Sequence, residues 1–468
     1  MSKVKRILSV IMAMVMVLAM SVPTFAAAVT TAPSASDKAK ITVTGIEDGA
    51  TVKAYRIVEP QYNNNGLYGY QVVSPYTITD NKNFVPTFDE ITKIATQVTG
   101  EGISLTGNKT NGYSAQVGAG EYIVIIESTN YTYNPVVVSA AYTNANNSAS
   151  LANGSISVED EWRIADGKAA AKSSKVEINK TVSESDVAEG DEVAYTITGT
   201  IPSYGAQFTN PVYTIKDTIT NAKYASTITV KIGGNPATEG TDYTITGGTE
   251  DVSEFTITFL NVGKYYDMTD TARAVEVTYK AKILASATST NPAENTADLE
   301  YSHKPSETKH ADPKKTYTYT FELDDEFTKV DEKGNPLADC TFTLTNKKTN
   351  RVYRCTTKVA DEKAKIHFEG LDAGEYELVE TIAKDGYSIN NTKYSVEIIP
   401  EYNADGTLKD KTIKIDGEAG AKVEVKNTKI SALPSTGGIG TTIFTIGGCA
   451  IMIVAAGLFF ATRRKTQK

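Results

Sequence analysis

The sequence predicts an all-β protein of tandem β-sandwich domains strung between two membrane-directed ends. Three observations predict it. Short runs of Thr, Val, Ile and Tyr alternate apolar with polar positions and are broken by Gly, Asn and Asp. Sustained apolar spacing at helical period is nearly absent from the interior. The two long apolar stretches stand at the termini. A chain of 468 residues has room for about three domains. A net charge of −9, a pI near 5.2 and no basic stripe exclude a nucleic-acid partner.

The elements follow in chain order. MSKVKRILSVIMAMVMVLAMSVPTFAAA has a basic start, an apolar middle and a small-residue exit at Ala26-Ala27-Ala28. Residues 1–27 are therefore expected to be a secretory signal peptide. Three β units follow at 28–170, 171–303 and 315–430, and the polar stretch SHKPSETKHADPKK, 302–315, reads as a linker. The apolar run 439–461 is long enough to span a bilayer, and Arg463, Arg464 and Lys465 in the tail 462–468 hold its end inside.

Several strands carry a polar residue on their apolar face. In KVEINKTV, Lys180 shares a face with Val176, Ile178 and Val182. A lysine buried there loses hydration and tends to give up its proton. In the third unit, Phe321, Leu323, Phe327 and Lys329 share one face. Tyr376, Leu378, Glu380 and Ile382 share another, as do Val423, Val425 and Asn427. A converging Lys, Glu and Asn form a reaction set. The neutral amine attacks the asparagine carbonyl, the neutral acid polarises it and moves protons, ammonia leaves, and an isopeptide bond remains.

The first unit supplies a comparison. Its GEYIVIIE, 120–127, echoes GEYELVE, 374–380. Glu127 lies one residue further from its tyrosine than Glu380 does, which puts it on the opposite face with Ile126 in the reactive position. The first unit is read as a relative without the bond. Cys340 and Cys355 flank TFTLTNKKTNRVYR, and a hairpin centred on Lys347-Lys348 would set them opposite each other, where an exported domain can form a disulfide. Cys449 lies in the apolar run. His303, His310 and His367 are scattered without ligand spacing, so neither a metal nor any cofactor is expected.

LPSTGG stands immediately before the apolar run. The pentapeptide Leu433, Pro434, Ser435, Thr436 and Gly437, the span and the basic tail resemble the LPxTG cell-wall sorting signal of Gram-positive bacteria. The resemblance implies that a sortase attacks the Thr436 carbonyl, expels Gly437 and passes Thr436 to an amine. The span would be a temporary holder. KVDEKGNPLADCTFTL, GEYELVETIAKDGY and VEVKNTK resemble the B-type collagen-adhesin-like domain of Gram-positive pilins and adhesins, apart from Lys384 in place of the usual proline. That resemblance implies a bond between Lys329 and Asn427 promoted by Glu380. In the second unit, Tyr213, Ile215, Asp217 and Ile219 share a face, and so do Asn295, Ala297, Leu299 and Tyr301. With Lys180 on the first strand this resembles the A-type fimbrial isopeptide domain. It implies a Lys180–Asn295 bond promoted by Asp217, with Asn291 the rival for Asn295.

The mature chain therefore resembles the LPxTG-anchored major pilins of sortase-assembled fimbriae, whose domains are immunoglobulin-like β-sandwiches. The resemblance implies a structural subunit rather than an enzyme. It also implies a pilin-type and a housekeeping sortase, other copies of the chain, minor pilins and peptidoglycan as partners, and a host or matrix surface to adhere to. The shaft reading needs an acceptor lysine between the first and second units. DGKAAAKSSKVEINK lacks the usual Tyr-Pro and offers Lys172, with Lys168 and Lys175 as rivals. A monomeric wall-anchored adhesin is the alternative. It would share everything except the acceptor.

Overall fold

A computed structural model describes residues 32–129, 131–156, 161–205, 207–266, 268–304, 307–430 and 440–465. The signal peptide and LPSTG lie outside the described residues. The chain divides into two compact units. One is Met1–Thr320 with Asn403–Thr407, and the other is Phe321–Tyr402 with Leu408–Lys468. The first unit holds hydrophobic cores on either side of residues 172–175.

In the N-terminal part, β1 (Ala39–Thr44), β2 (Thr51–Asn63), β3 (Gly120–Glu127) and β4 (Val136–Thr143) carry the main sheet. A helix, α1 (Phe88–Gln97), covers one face through Ile91 and Ile94. The sequence reading passed over it, although TFDE spells its capping box. Thr87 N donates to Glu90 Oε2 at 2.8 Å, and Thr87 Oγ1 accepts from Glu90 N at 3.3 Å.

The middle part stacks two sheets. One contains β5 (Ile178–Val182), β6 (Glu192–Thr200) and β9 (Ala274–Ile283). The other contains β7 (Tyr213–Ile219), β8 (Glu254–Phe259) and β10 (Ala293–Lys304). The strand read as starting at 175 begins at Ile178, because Ser173–Lys175 pairs instead with Tyr131–Tyr133. The proposed linker is also corrected. Glu307–His310 and Lys314–Thr318 both pair with β10, so the third unit starts at Phe321 rather than 315. Polar residues suit this position because the strands lie at the edge of the sheet, where one face meets water.

The second compact unit, which holds the third domain, pairs β11 (Phe327–Asp331) in parallel with β17 (Val423–Asn427). Its larger sheet runs β13 (Val352–Thr356), β12 (Thr341–Asn346), β14 (Gly374–Ile382), β15 (Tyr394–Tyr402), β16 (Leu408–Ile415). The predicted disulfide register is wrong by one turn position. The loop spans 347–350, with Asn346 and Arg351 closing it and Asn350 at φ 61°. Cys355 therefore pairs with Phe342, and the Cys340 carbonyl accepts from Thr357 N, so the two cysteines are diagonal neighbours with free thiols. A register shift beside Glu380 also turns Ile382 out to 58% exposure, away from its predicted face. C-terminal to these strands, α2 (Gly440–Lys465) contains Ile443–Arg463, long and apolar enough to cross a membrane.

β3 and β14 echo each other in structure as in sequence. Each opens on a glycine in the positive-φ region, Gly120 at 139° and Gly374 at 135°. Their tyrosines, Tyr122 and Tyr376, each donate to the carbonyl four residues upstream, at 2.9 and 2.8 Å.

Candidate cross-linking sites and acceptor region

Alternation along β5, β7 and β10 turns Lys180, Asp217 and Asn295 into the core between the two sheets of the middle domain. All three are buried, Asp217 and Asn295 at 0% exposure. Lys180 Nζ lies 2.5 Å from Asp217 Oδ2. Its ammonium is disfavoured because burial outweighs the pull of Asp217. Burial likewise raises the Asp217 carboxyl, against the opposing pull of Lys180. Both directions move the proton from amine to acid and leave an uncharged nucleophile. The rival Asn291 sits in an exposed turn, its side chain donating to the Ser286 carbonyl at 3.2 Å.

Two tyrosines that sequence reasoning missed complete this set. Tyr224 OH donates to Asp217 Oδ1 at 3.0 Å. Tyr279 OH lies 2.8 Å from the same oxygen, accepts from Lys180 Nζ at 2.7 Å, and accepts from Asn295 Nδ2 at 2.8 Å. Asn295 Oδ1 is buried without a hydrogen-bond partner among the described residues. The amide carbonyl thus remains open to a proton donor.

In the third domain, Lys329, Glu380 and Asn427 are all buried. Lys329 Nζ donates to the Val425 carbonyl at 2.8 Å, and burial lowers its proton affinity against the opposing charge of Glu380. Asn427 Nδ2 donates to Glu380 Oε1 at 2.7 Å, while Asn390 N donates to Oε2 at 2.8 Å. Asn427 Oδ1, like Asn295 Oδ1, has no partner among the described residues.

The N-terminal domain lacks such a set where the sequence led us to look. Ile126 is buried, and Glu127 faces the other way to pair with Lys304 at 2.9 Å. Another acid, Glu121, lies inside this domain at 5% exposure. Ser139 Oγ donates to its Oε1 at 3.4 Å, Oε2 has no partner among the described residues, and burial raises its carboxyl to about 8. The candidate acceptors stand exposed. Lys168 is on the strand Gly167–Ala170, Lys172 follows it, and Lys175 ion-pairs with Glu177.

Comparison with known proteins now places the chain. A T6 antigen Ig-like domain matches residues 36–173, a prealbumin-like fold domain matches 324–414, and an LPXTG cell wall anchor motif matches 425–468. The chain carries an LPXTG cell wall anchor motif and is similar to surface proteins of the major-pilin type. It is 25% identical to the trypsin-resistant surface T6 protein of Streptococcus pyogenes serotype M6, over 92% of this chain and 96% of that one. The T6 backbone pilin structure of S. pyogenes shares its fold, with TM-score 0.63 and 20% identity over 86% of this chain and all of that one. The full-length major pilin SpaD of Corynebacterium diphtheriae is similar at TM-score 0.51 and 17% identity, over 85% of this chain and 98% of that one. The pilin-type chain is attached at the cell wall, and its fold is the β-sandwich array that the sequence predicts.

Proposed function

We propose that this pilin-type chain is polymerised into a fibre by sortases and hardened by two self-formed isopeptide bonds, Lys180–Asn295 and Lys329–Asn427. The observation that carries the reading is the middle-domain set. There an uncharged Lys180 amine and the Asn295 amide meet at one phenol oxygen, with Asp217 held against the amine. Nζ attacks Asn295 Cγ, the Cγ–Nδ2 bond breaks, and ammonia leaves. The buried, ionisable Lys180 amine is replaced by a neutral amide, which a core tolerates better. Glu380 promotes the same exchange between Lys329 and Asn427. Each set reacts once, so the chain is a structural subunit rather than an enzyme.

A pilin-type sortase would then join Thr436 of one copy to Lys172 of the next, and a housekeeping sortase would pass the last Thr436 to peptidoglycan. Minor pilins and a host or matrix surface complete the partners that the pilin type suggests. The test is the polymer itself. Wild-type cells should show a high-mass ladder that survives denaturing electrophoresis. Lys172→Ala should lose it and leave a wall-linked monomer. A ladder that persists when Lys168, Lys172 and Lys175 are all alanine places the acceptor elsewhere. If wild-type cells never show a ladder, the shaft reading gives way to a monomeric wall-anchored adhesin.

A further inference from the structure

The acids of the two sets do not stand in equivalent places. Glu380 touches the amide nitrogen that is to leave, at 2.7 Å from Asn427 Nδ2. Asp217 is one carbon shorter. Its Oδ2 holds Lys180, its Oδ1 holds Tyr224 and Tyr279, and it makes no hydrogen bond to Asn295. The gap between acid and leaving nitrogen is filled by the Tyr279 hydroxyl, which touches Lys180 Nζ, Asp217 Oδ1 and Asn295 Nδ2 together.

We infer that Tyr279 is a catalytic residue of the middle domain, relaying a proton from Asp217 to the departing Asn295 nitrogen. This rests on the isopeptide reading of that domain. The exchange balances as follows. The Nζ–Cγ bond forms and Nζ releases one proton to Asp217 Oδ2. Asp217, protonated at the start, passes one proton from Oδ1 to the Tyr279 oxygen. The phenol gives its own proton to Nδ2 as the Cγ–Nδ2 bond breaks. Ammonia leaves, and acid and phenol end as they began. The stacked Tyr195 ring, 5.4 Å away centroid to centroid, and the edge-on Phe255 ring, 5.2 Å away, hold the phenol in place. The third domain needs no such relay because its longer acid spans the distance itself.

The test uses the whole mature extracellular chain. In Tyr279→Phe the ring and its packing remain and only the hydroxyl is lost. Peptide mapping over time should find the Lys180–Asn295 linkage forming ~10²-fold more slowly than in wild type, the usual scale of a lost proton-transfer group. The Lys329–Asn427 linkage should form on schedule. Formation of Lys180–Asn295 at the wild-type rate overturns the relay. A wild-type chain that never forms this linkage overturns the underlying reading instead. Site-specific 3-fluorotyrosine at 279, nearly identical in shape with a more acidic phenol, gives a second readout that does not depend on tolerance of phenylalanine. The relay requires a changed rate with a shifted pH profile, and indifference to the fluorine rules it out.

Discussion

Asn427 Nδ2 donates to Glu380 Oε1 across 2.7 Å, with both residues buried in the core. The acid thus already holds the nitrogen that the proposed reaction expels, and Lys329 is buried in the same compartment with its proton affinity lowered. A site assembled this way should react without any helper protein.

Intact mass gives the most direct check. The mature chain should weigh two ammonia molecules less than its sequence. Lys180→Ala and Lys329→Ala should each restore one. A mass equal to that of the sequence removes both bonds at once.

The acids should be separable from the fold. Asp217→Asn and Glu380→Gln keep the shape of the core but cannot carry protons, so each chain should fold and lack its own bond. Each bond closes a loop of about 100 residues, worth ~4–5 kcal/mol if the chain-entropy argument for disulfides carries over. Denaturant midpoints and protease resistance should fall in the affected domain. Normal bond formation in Asp217→Asn would show that another group moves the proton.

Glu121 makes the N-terminal domain sensitive to pH. Its carboxyl titrates at about 8 in the folded chain against an ordinary 4.5. Between those values the unfolded chain has released this proton and the folded chain keeps it. The unfolded state therefore binds fewer protons, and stability falls as pH rises through that window, by on the order of a few kcal/mol. Glu121→Gln should flatten the dependence and stabilise the domain at pH 8. Trp162, the single tryptophan of the chain and buried in this domain, lets fluorescence follow its unfolding alone. Identical pH dependence in the two proteins would remove Glu121 as the cause.

Cys340 and Cys355 should remain thiols. Unfolded without reductant, the protein should take up an alkylating label at both positions. Protection of the pair until reductant is added would mean that the hairpin shifts its register in the exported protein.

The sequence by itself determined that the six reactive side chains enter the cores. Side chains alternate strictly along a strand, so counting by two put Lys180, Asp217, Asn295, Lys329, Glu380 and Asn427 on apolar faces, and all six are buried. The same count turned Glu127 outward and left Ile126 inside. Counting says nothing of which strand lies opposite. Tyr279, in AVEVTYKAKI, reads as one more apolar residue between Val277 and Ala281, and only the stacking of β9 over β7 and β10 brings its hydroxyl to three polar groups. Turn position was equally invisible, because one residue of slip in the 347–350 loop moves a cross-strand partner by two and separates Cys340 from Cys355. The edge strand Glu307–His310 looked like linker because its polarity suits water as well as a sheet edge, and only pairing with β10 assigns it. Local period is written in the chain. Partners across a core depend on how whole sheets pack, and that was decided by the tertiary structure alone.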